Sequence, residues 1–188
     1  MARLVLVGLP GSGKTTVARR LAQHWGCDAI DIDDALAARY GSSAADLLRE
    51  IGEERFRDEE AAVLRACIES DAVIATGGGV VENALARDLL RAQTTVWLRV
   101  GVNCLVARVA EGDRPLLSGD VAERLTLLAA RREHWYASVA QVSVDGEGPL
   151  DEVVEAITAL VRSCRSRWRP RRPTTSRSAP ACAAGSPP

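Results

Sequence analysis

Residues 3–16 read RLVLVGLPGSGKTT, a short apolar run of strand length that passes into Gly8-x-x-x-x-Gly13-Lys14-Thr15. This satisfies G-x-x-x-x-G-K-[S/T] in full, and the helical pattern from Thr15 onward completes the strand-loop-helix setting in which such a loop cradles phosphates. Backbone N–H groups around Gly11, Ser12 and Gly13 turn toward phosphate oxygens, and the helix N-terminus adds partial positive charge. Lys14 bridges β- and γ-phosphates. Thr15 supplies a hydroxyl to Mg²⁺, and Thr16 joins the nucleotide-binding turn. Lys14 is the only lysine in a chain with 24 Lys and Arg residues. A compact ammonium reaches between phosphate oxygens where a planar guanidinium is bulky and directional, which explains a lysine surviving here alone.

The chain of 188 residues, 47% hydrophobic, suits one α/β domain with a sizeable core. The apolar run before Gly8 is too short for a secretory signal, and no stretch approaches membrane-spanning length. Cys27, Cys67, Cys104, Cys164 and Cys182 are scattered with no C-x-x-C pair, so a reduced, cytoplasmic setting is expected. His24 and His134 fall in separate helical patterns and receive no role. Residues 162–188 hold seven arginines and no acid, which leaves residues 1–161 with 17 basic against 25 acidic side chains. That Arg/Pro/Ser-rich segment is too poor in aliphatic residues to fold and is expected to be a disordered tail. Any nucleic-acid binding would be confined to it, and a solvated extension is the plainer expectation.

Strands are expected at 3–7, 28–32, 71–76, 94–100 and 140–144. Between them, segments such as TTVARRLAQHW, ERFRDEEAAVLRACIE and VAERLTLLAARREHWYASV place apolar residues three and four apart, as amphipathic helices do. LDEVVEAITALVRS closes the domain as a last helix, with acids in its first turn. Strands alternating with helices imply a parallel sheet covered on both faces. Ligands in such sheets gather beyond the carboxyl ends of the strands.

That rule selects three groups of residues: Gly8 to Thr15, the DIDD stretch at 31–34, and Gly77 to Gly79. Strand alternation places Asp31 and Asp33 on one side, Asp31 toward Mg²⁺ through water and Asp33 toward an acceptor hydroxyl, with Asp34 capping the next helix. The plain alternative is that all three acids only solvate a turn or cap a helix. Arg57 and Glu60 share a helix face, either as a surface ion pair or as an acid holding a guanidinium fork for a substrate carboxylate. Three successive glycines after the third strand favour close approach of a ligand to backbone. Arg114, in the glycine-flanked loop EGDRPLLSGD, is placed to close over a transferring phosphoryl group, whose charge spreads over three oxygens.

Taken together, GLPGSGKT, DID, GSSAADLLREIGEERFRDEE, GGGVV, RPLL and RREHWY occur in an order and spacing that resemble the shikimate kinase family over residues 1 to about 160. The resemblance implies a five-stranded parallel sheet of order 2-3-1-4-5 with helices on both faces and a short lid. It further implies ATP and Mg²⁺ as cofactors and phosphorylation of the 3-hydroxyl of shikimate by a monomer. Carried onto this chain, it gives Asp33 the ring hydroxyls, Arg57 and Arg132 the carboxylate, and Gly78 with Gly79 a backbone contact. Glu60 matches the acid that orients the substrate arginine, Arg114 the lid arginine, Arg108 the residue stacked on adenine, and Asp31 the partner of Mg²⁺ through water. Lys14, Asp33 and Arg114 form the catalytic set. Leu48 stands where the family often carries an aromatic, and Ala44 replaces a usual isoleucine. These two positions keep open an acceptor such as gluconate or a related hydroxy acid. A nucleotide-binding regulatory protein without turnover is the alternative of another class.

Overall fold

The structure, a computed structural model, describes residues 2–111 and 121–163. Five strands, β1 (Leu4–Val7), β2 (Asp28–Asp31), β3 (Ala72–Ala75), β4 (Thr95–Arg99) and β5 (Val142–Asp145), form one parallel sheet in the order β2-β3-β1-β4-β5. The expected topology is therefore the observed one.

Alternation along β1 explains why the sheet needs two covering layers. Val5 and Val7 pack with Ile32, Leu36, Leu64, Leu90 and Tyr136 on one face. Leu4 and Leu6 pack with Val17, Leu21, Val153 and Ile157 on the other. All four strand residues are fully buried, as a central parallel strand requires. The first face is covered by α2 (Ile32–Tyr40), α4 (Glu53–Cys67), α5 (Ala84–Arg91) and α7 (Val121–Val139), and the second by α1 (Lys14–Trp25) and α8 (Leu150–Ser163). The two remaining helices are α3 (Ala44–Ile51) and α6 (Val102–Glu111).

At the amino end of the sheet, Arg3 grips both oxygens of Asp71 at 2.7 and 2.9 Å and donates to the Trp25 carbonyl at 2.9 Å. One side chain thus joins the start of β1, the approach to β3 and the end of α1. The carboxyl end is left free for polar chemistry.

Two local expectations are corrected. β2 stops at Asp31 and α2 begins at Ile32, so Asp31 and Asp33 are related by a helical turn rather than by strand alternation. The cap of α2 is Asp31, whose carboxylate accepts from the Asp33 N–H at 2.9 Å, whereas Asp34 lies inside the first turn and pairs with Arg19. An early carboxylate suits the dipole of the helix it opens.

Among the described residues no helix is long and apolar enough to cross a membrane. Cys27, Cys67 and Cys104 form no disulfide among the described residues. Residues 164–188, almost all of the expected tail, lie outside the described residues, as does Arg114.

Candidate active site

The loop between β1 and α1 carries Gly11 and Gly13 at φ 81° and 89°, backbone that L-residues rarely adopt. Lys14 opens α1 and is only 8% exposed. Its Nζ donates to the carbonyls of Gly8 at 3.0 Å and Leu9 at 2.9 Å and lies 3.4 Å from Ser12 Oγ. Burial lowers its pKa to about 8, with Asp33 and Asp31 opposing the shift. The ammonium is therefore charged at neutral pH and curled inside its own loop.

Thr15 Oγ1 donates to Asp31 Oδ2 at 2.5 Å, so a hydroxyl and a carboxylate oxygen already meet beside the phosphate loop. Mg²⁺ keeps several waters and takes one or two protein oxygens together with phosphate oxygens, which this donor set fits. Asp33 faces the open cleft, where water reaches it while the walls crowd its carboxyl. That desolvation, followed by the charge of Asp31, raises its pKa.

Next to Asp33, over Gly77, lies a cluster of arginines and acids. Arg57 Nη1 donates to Glu60 Oε2 at 3.0 Å, confirming the shared helix face. Glu60 is 1% exposed, and its Oε1, like Arg57 Nε, has no hydrogen-bond partner among the described residues. An orphaned donor and acceptor inside a polar cleft are what a missing polar ligand leaves behind. Arg132, on α7, donates through Nη1 to the Gly78 carbonyl at 3.2 Å. Tyr136, one helical turn on, donates to the same oxygen at 2.5 Å.

The glycine run after β3 has a reason the sequence did not show. A Cβ on Gly77 would collide with Glu60 Oε1 and stand 3.0 Å from Asp33 Oδ1. One on Gly78 would stand 2.7 Å from the Pro10 ring, and one on Gly79 would overlap the Arg57 guanidinium. The space freed at Gly77 and Gly79 is thus filled first by the site's own acids and arginine, and that at Gly78 by Pro10 of the phosphate loop.

Glu60 makes the cluster sensitive to pH. Burial, only partly offset by Arg57, pushes its pKa from 4.5 up to about 7. A carboxyl raised in this way favours the fold in its protonated form, so its contribution is complete below about pH 4.5 and is lost as pH rises through about 7. Glu60→Gln is expected to flatten the decline of melting temperature across that window. An unchanged slope would show that Glu60 ionises like a surface acid.

On the nucleotide side, Arg108 Nη2 donates to the Gly146 carbonyl at 2.7 Å and its Nη1 reaches the Ser12 carbonyl at 3.4 Å. It thereby links the phosphate loop to the turn after β5. Leu48 and Ala44 are half-buried and pack against the core under the acceptor side. The sequence reading missed Glu82, whose carboxylate contacts Arg57, Arg131 and Arg132, and Tyr136. The spacing of Tyr136 four residues after Arg132 is the signal that would have found it.

The family model for shikimate kinase matches residues 10–162. A shikimate kinase of Frankia casuarinae is 43% identical over 161 residues, covering 84% of this chain and 72% of that protein. Among solved structures, the shikimate kinase of Acinetobacter baumannii in complex with shikimate is 31% identical with a TM-score of 0.79, covering 85% of this chain and 92% of the other. A gluconokinase of Sinorhizobium meliloti, 22% identical with a TM-score of 0.62 over 88% of this chain and 94% of its own, shares the fold alone.

Proposed function

This chain belongs to the shikimate kinase family, and from that premise we propose how its residues divide the work of the reaction. The reaction is transfer of the γ-phosphoryl group of ATP to the 3-hydroxyl of shikimate, giving shikimate 3-phosphate and ADP. The observation that carries the assignment is the meeting of Arg57, Glu60, Arg132 and Asp33 around Gly77–Gly79, a set of two arginines and acids that suits a carboxylated, hydroxylated acceptor.

Arg57 and Arg132 hold the carboxylate of shikimate, and Gly78 with Gly79 line its seat. Glu60 keeps the Arg57 fork in plane. Asp33 orients the 3-hydroxyl and accepts its proton as the new O–P bond forms and the bond to the ADP oxygen breaks. The bonding pair leaves with ADP. Such a transition state is loose, so positioning contributes more than basicity.

Gly11, Ser12, Gly13 and Thr16 cradle the phosphates, and Lys14 turns from its loop carbonyls to the β- and γ-oxygens. Thr15, with Asp31 through water, would hold Mg²⁺, which would withdraw charge from the phosphate oxygens. Arg108 lies against the adenine side. Arg114 acts as the lid arginine over the transferring group. The protein works as a monomer, the state the family resemblance implies, in a reduced, cytoplasmic setting of the kind that scattered cysteines without a C-x-x-C pair suit. The expected boundary at 162 is moved by α8, which runs to Ser163, and residues 164–188 are dispensable for transfer.

The test is ADP release with ATP and Mg²⁺, comparing shikimate, gluconate, nucleoside monophosphates and no acceptor, in the full chain and in one truncated after Ser163. Stimulation by shikimate alone, equal in both forms, is expected. Stimulation by gluconate alone would move the acceptor assignment. ATP binding without stimulation by any acceptor would leave a nucleotide-binding protein without turnover. A large loss on truncation would overturn the reading of the tail.

A further inference from the structure

Glu82 ends the 3-10 turn Val80–Glu82 that follows the three glycines. Its side chain is 6% exposed, yet three arginines converge on it. Oε1 lies 2.9 Å from Arg131 Nε and 3.2 Å from Arg132 Nε. Oε2 lies 3.4 Å from Arg132 Nη2 and 3.3 Å from Arg57 Nη2. Glu82 thus takes the Nε–Nη2 edge of Arg132 with both oxygens, while Arg132 Nη1 is spent on the Gly78 carbonyl. A guanidinium fixed along one edge and at one further nitrogen has its plane determined, and the unused hydrogens face a single direction.

We propose that Glu82 is a positioning residue for the acceptor, setting the planes of Arg57 and Arg132 so that their remaining N–H donors converge on the carboxylate of shikimate. The inference rests on the assignment of those two arginines to that carboxylate. Arg57 and Arg132 share a single oxygen of Glu82, so without it two buried like charges would face each other and splay. Arg57 also pairs with Glu60 at 3.0 Å and Glu53 at 3.5 Å, so what distinguishes Glu82 is that it alone of these acids contacts both clamp arginines. Arg131, 57% exposed, contacts the same carboxylate at 2.9 Å. A carboxylate acting only to neutralise buried charge would need no exposed third partner. Burial favours protonation of Glu82, but Arg132, Arg57 and Arg131 outweigh it and hold the acid below its ordinary range, so it stays charged.

The experiment measures initial rates for wild type, Glu82→Gln, Glu82→Asp and Arg131→Gln, varying shikimate and ATP in turn, with melting temperature recorded for each. Glu82→Gln is expected to raise KM for shikimate roughly tenfold, because a small misplacement of a clamp is costly. Its kcat at saturating shikimate should stay within about twofold, and KM for ATP should not move. Glu82→Asp, which keeps the charge, should recover part of the affinity. Arg131→Gln leaves the buried pair in place and should raise the same KM about two- to threefold, which keeps a readout if Glu82→Gln fails to fold. Equal losses in kcat and in both KM values, or a lower melting temperature with unchanged KM for shikimate, would reduce Glu82 to a structural ion pair and overturn the proposal. A lower KM in Glu82→Gln would overturn it too, by showing that Glu82 competes with the substrate. Wild type that shikimate does not stimulate would instead sink the functional assignment on which the proposal stands.

Discussion

Asp33→Asn is expected to lower turnover with shikimate by about a thousandfold while leaving ATP affinity intact. The substitution keeps the size of the side chain and its place in the first turn of α2 but removes the group that takes the hydroxyl proton. No second carboxylate can replace it. Asp31 is committed to Thr15 Oγ1 and to the Asp33 N–H. Glu60 stands beside the same Gly77 position as Asp33, but its Oε2 is bound to Arg57 and burial favours its protonated form. Desolvation and the neighbouring charge of Asp31 raise the pKa of Asp33, so the acid limb of the wild-type profile of kcat/KM against pH should lie above that of an ordinary aspartate. The limb should vanish in the variant. Turnover near wild type, or an unaltered limb, would remove Asp33 from the chemistry.

Lys14→Arg should fold normally and lose about a hundredfold to a thousandfold in kcat, as removal of one donor to developing charge does elsewhere. The pocket that accepts the ammonium is small: the carbonyls of Gly8 and Leu9 and the Ser12 hydroxyl lie within 3.4 Å of Nζ. A guanidinium fits neither there nor between two phosphate groups without shifting the glycine backbone. Melting temperature reports the fold and ADP release reports the chemistry. An arginine variant of near-native activity would undo the account of why this one lysine persists in an arginine-rich chain.

The legible parts of the molecule were those in which one physical demand governs several residues. The central strands had to be apolar in a doubly covered sheet, so β1, β3 and β4 stood out, and their alternation with amphipathic helices implied the parallel arrangement. Helices α2 and α3 were harder to read. Each spans only nine or eight residues, and their fully buried side chains number two and one, which leaves little periodicity to detect. The strand boundary at Asp31 was hidden for a related reason. DAID continues as an alternating pattern into Asp33, and only the capping hydrogen bond tells where the strand gives way to helix. Glu82 looked like any polar residue after an apolar pair. Its partners come from α4 and α7, 25 to 50 positions away, and no local pattern records such a meeting.

The knot tied by Arg3 has an implication for how variation is tolerated. It fastens β1, the approach to β3 and the end of α1 at the edge opposite the chemistry. The register of the central strands is anchored where no ligand touches, so changes around Leu48, Ala44 or Glu82 can alter the acceptor seat without loosening the frame. Selection can therefore act on the two rims of the sheet independently, one guarding integrity and the other exploring affinity.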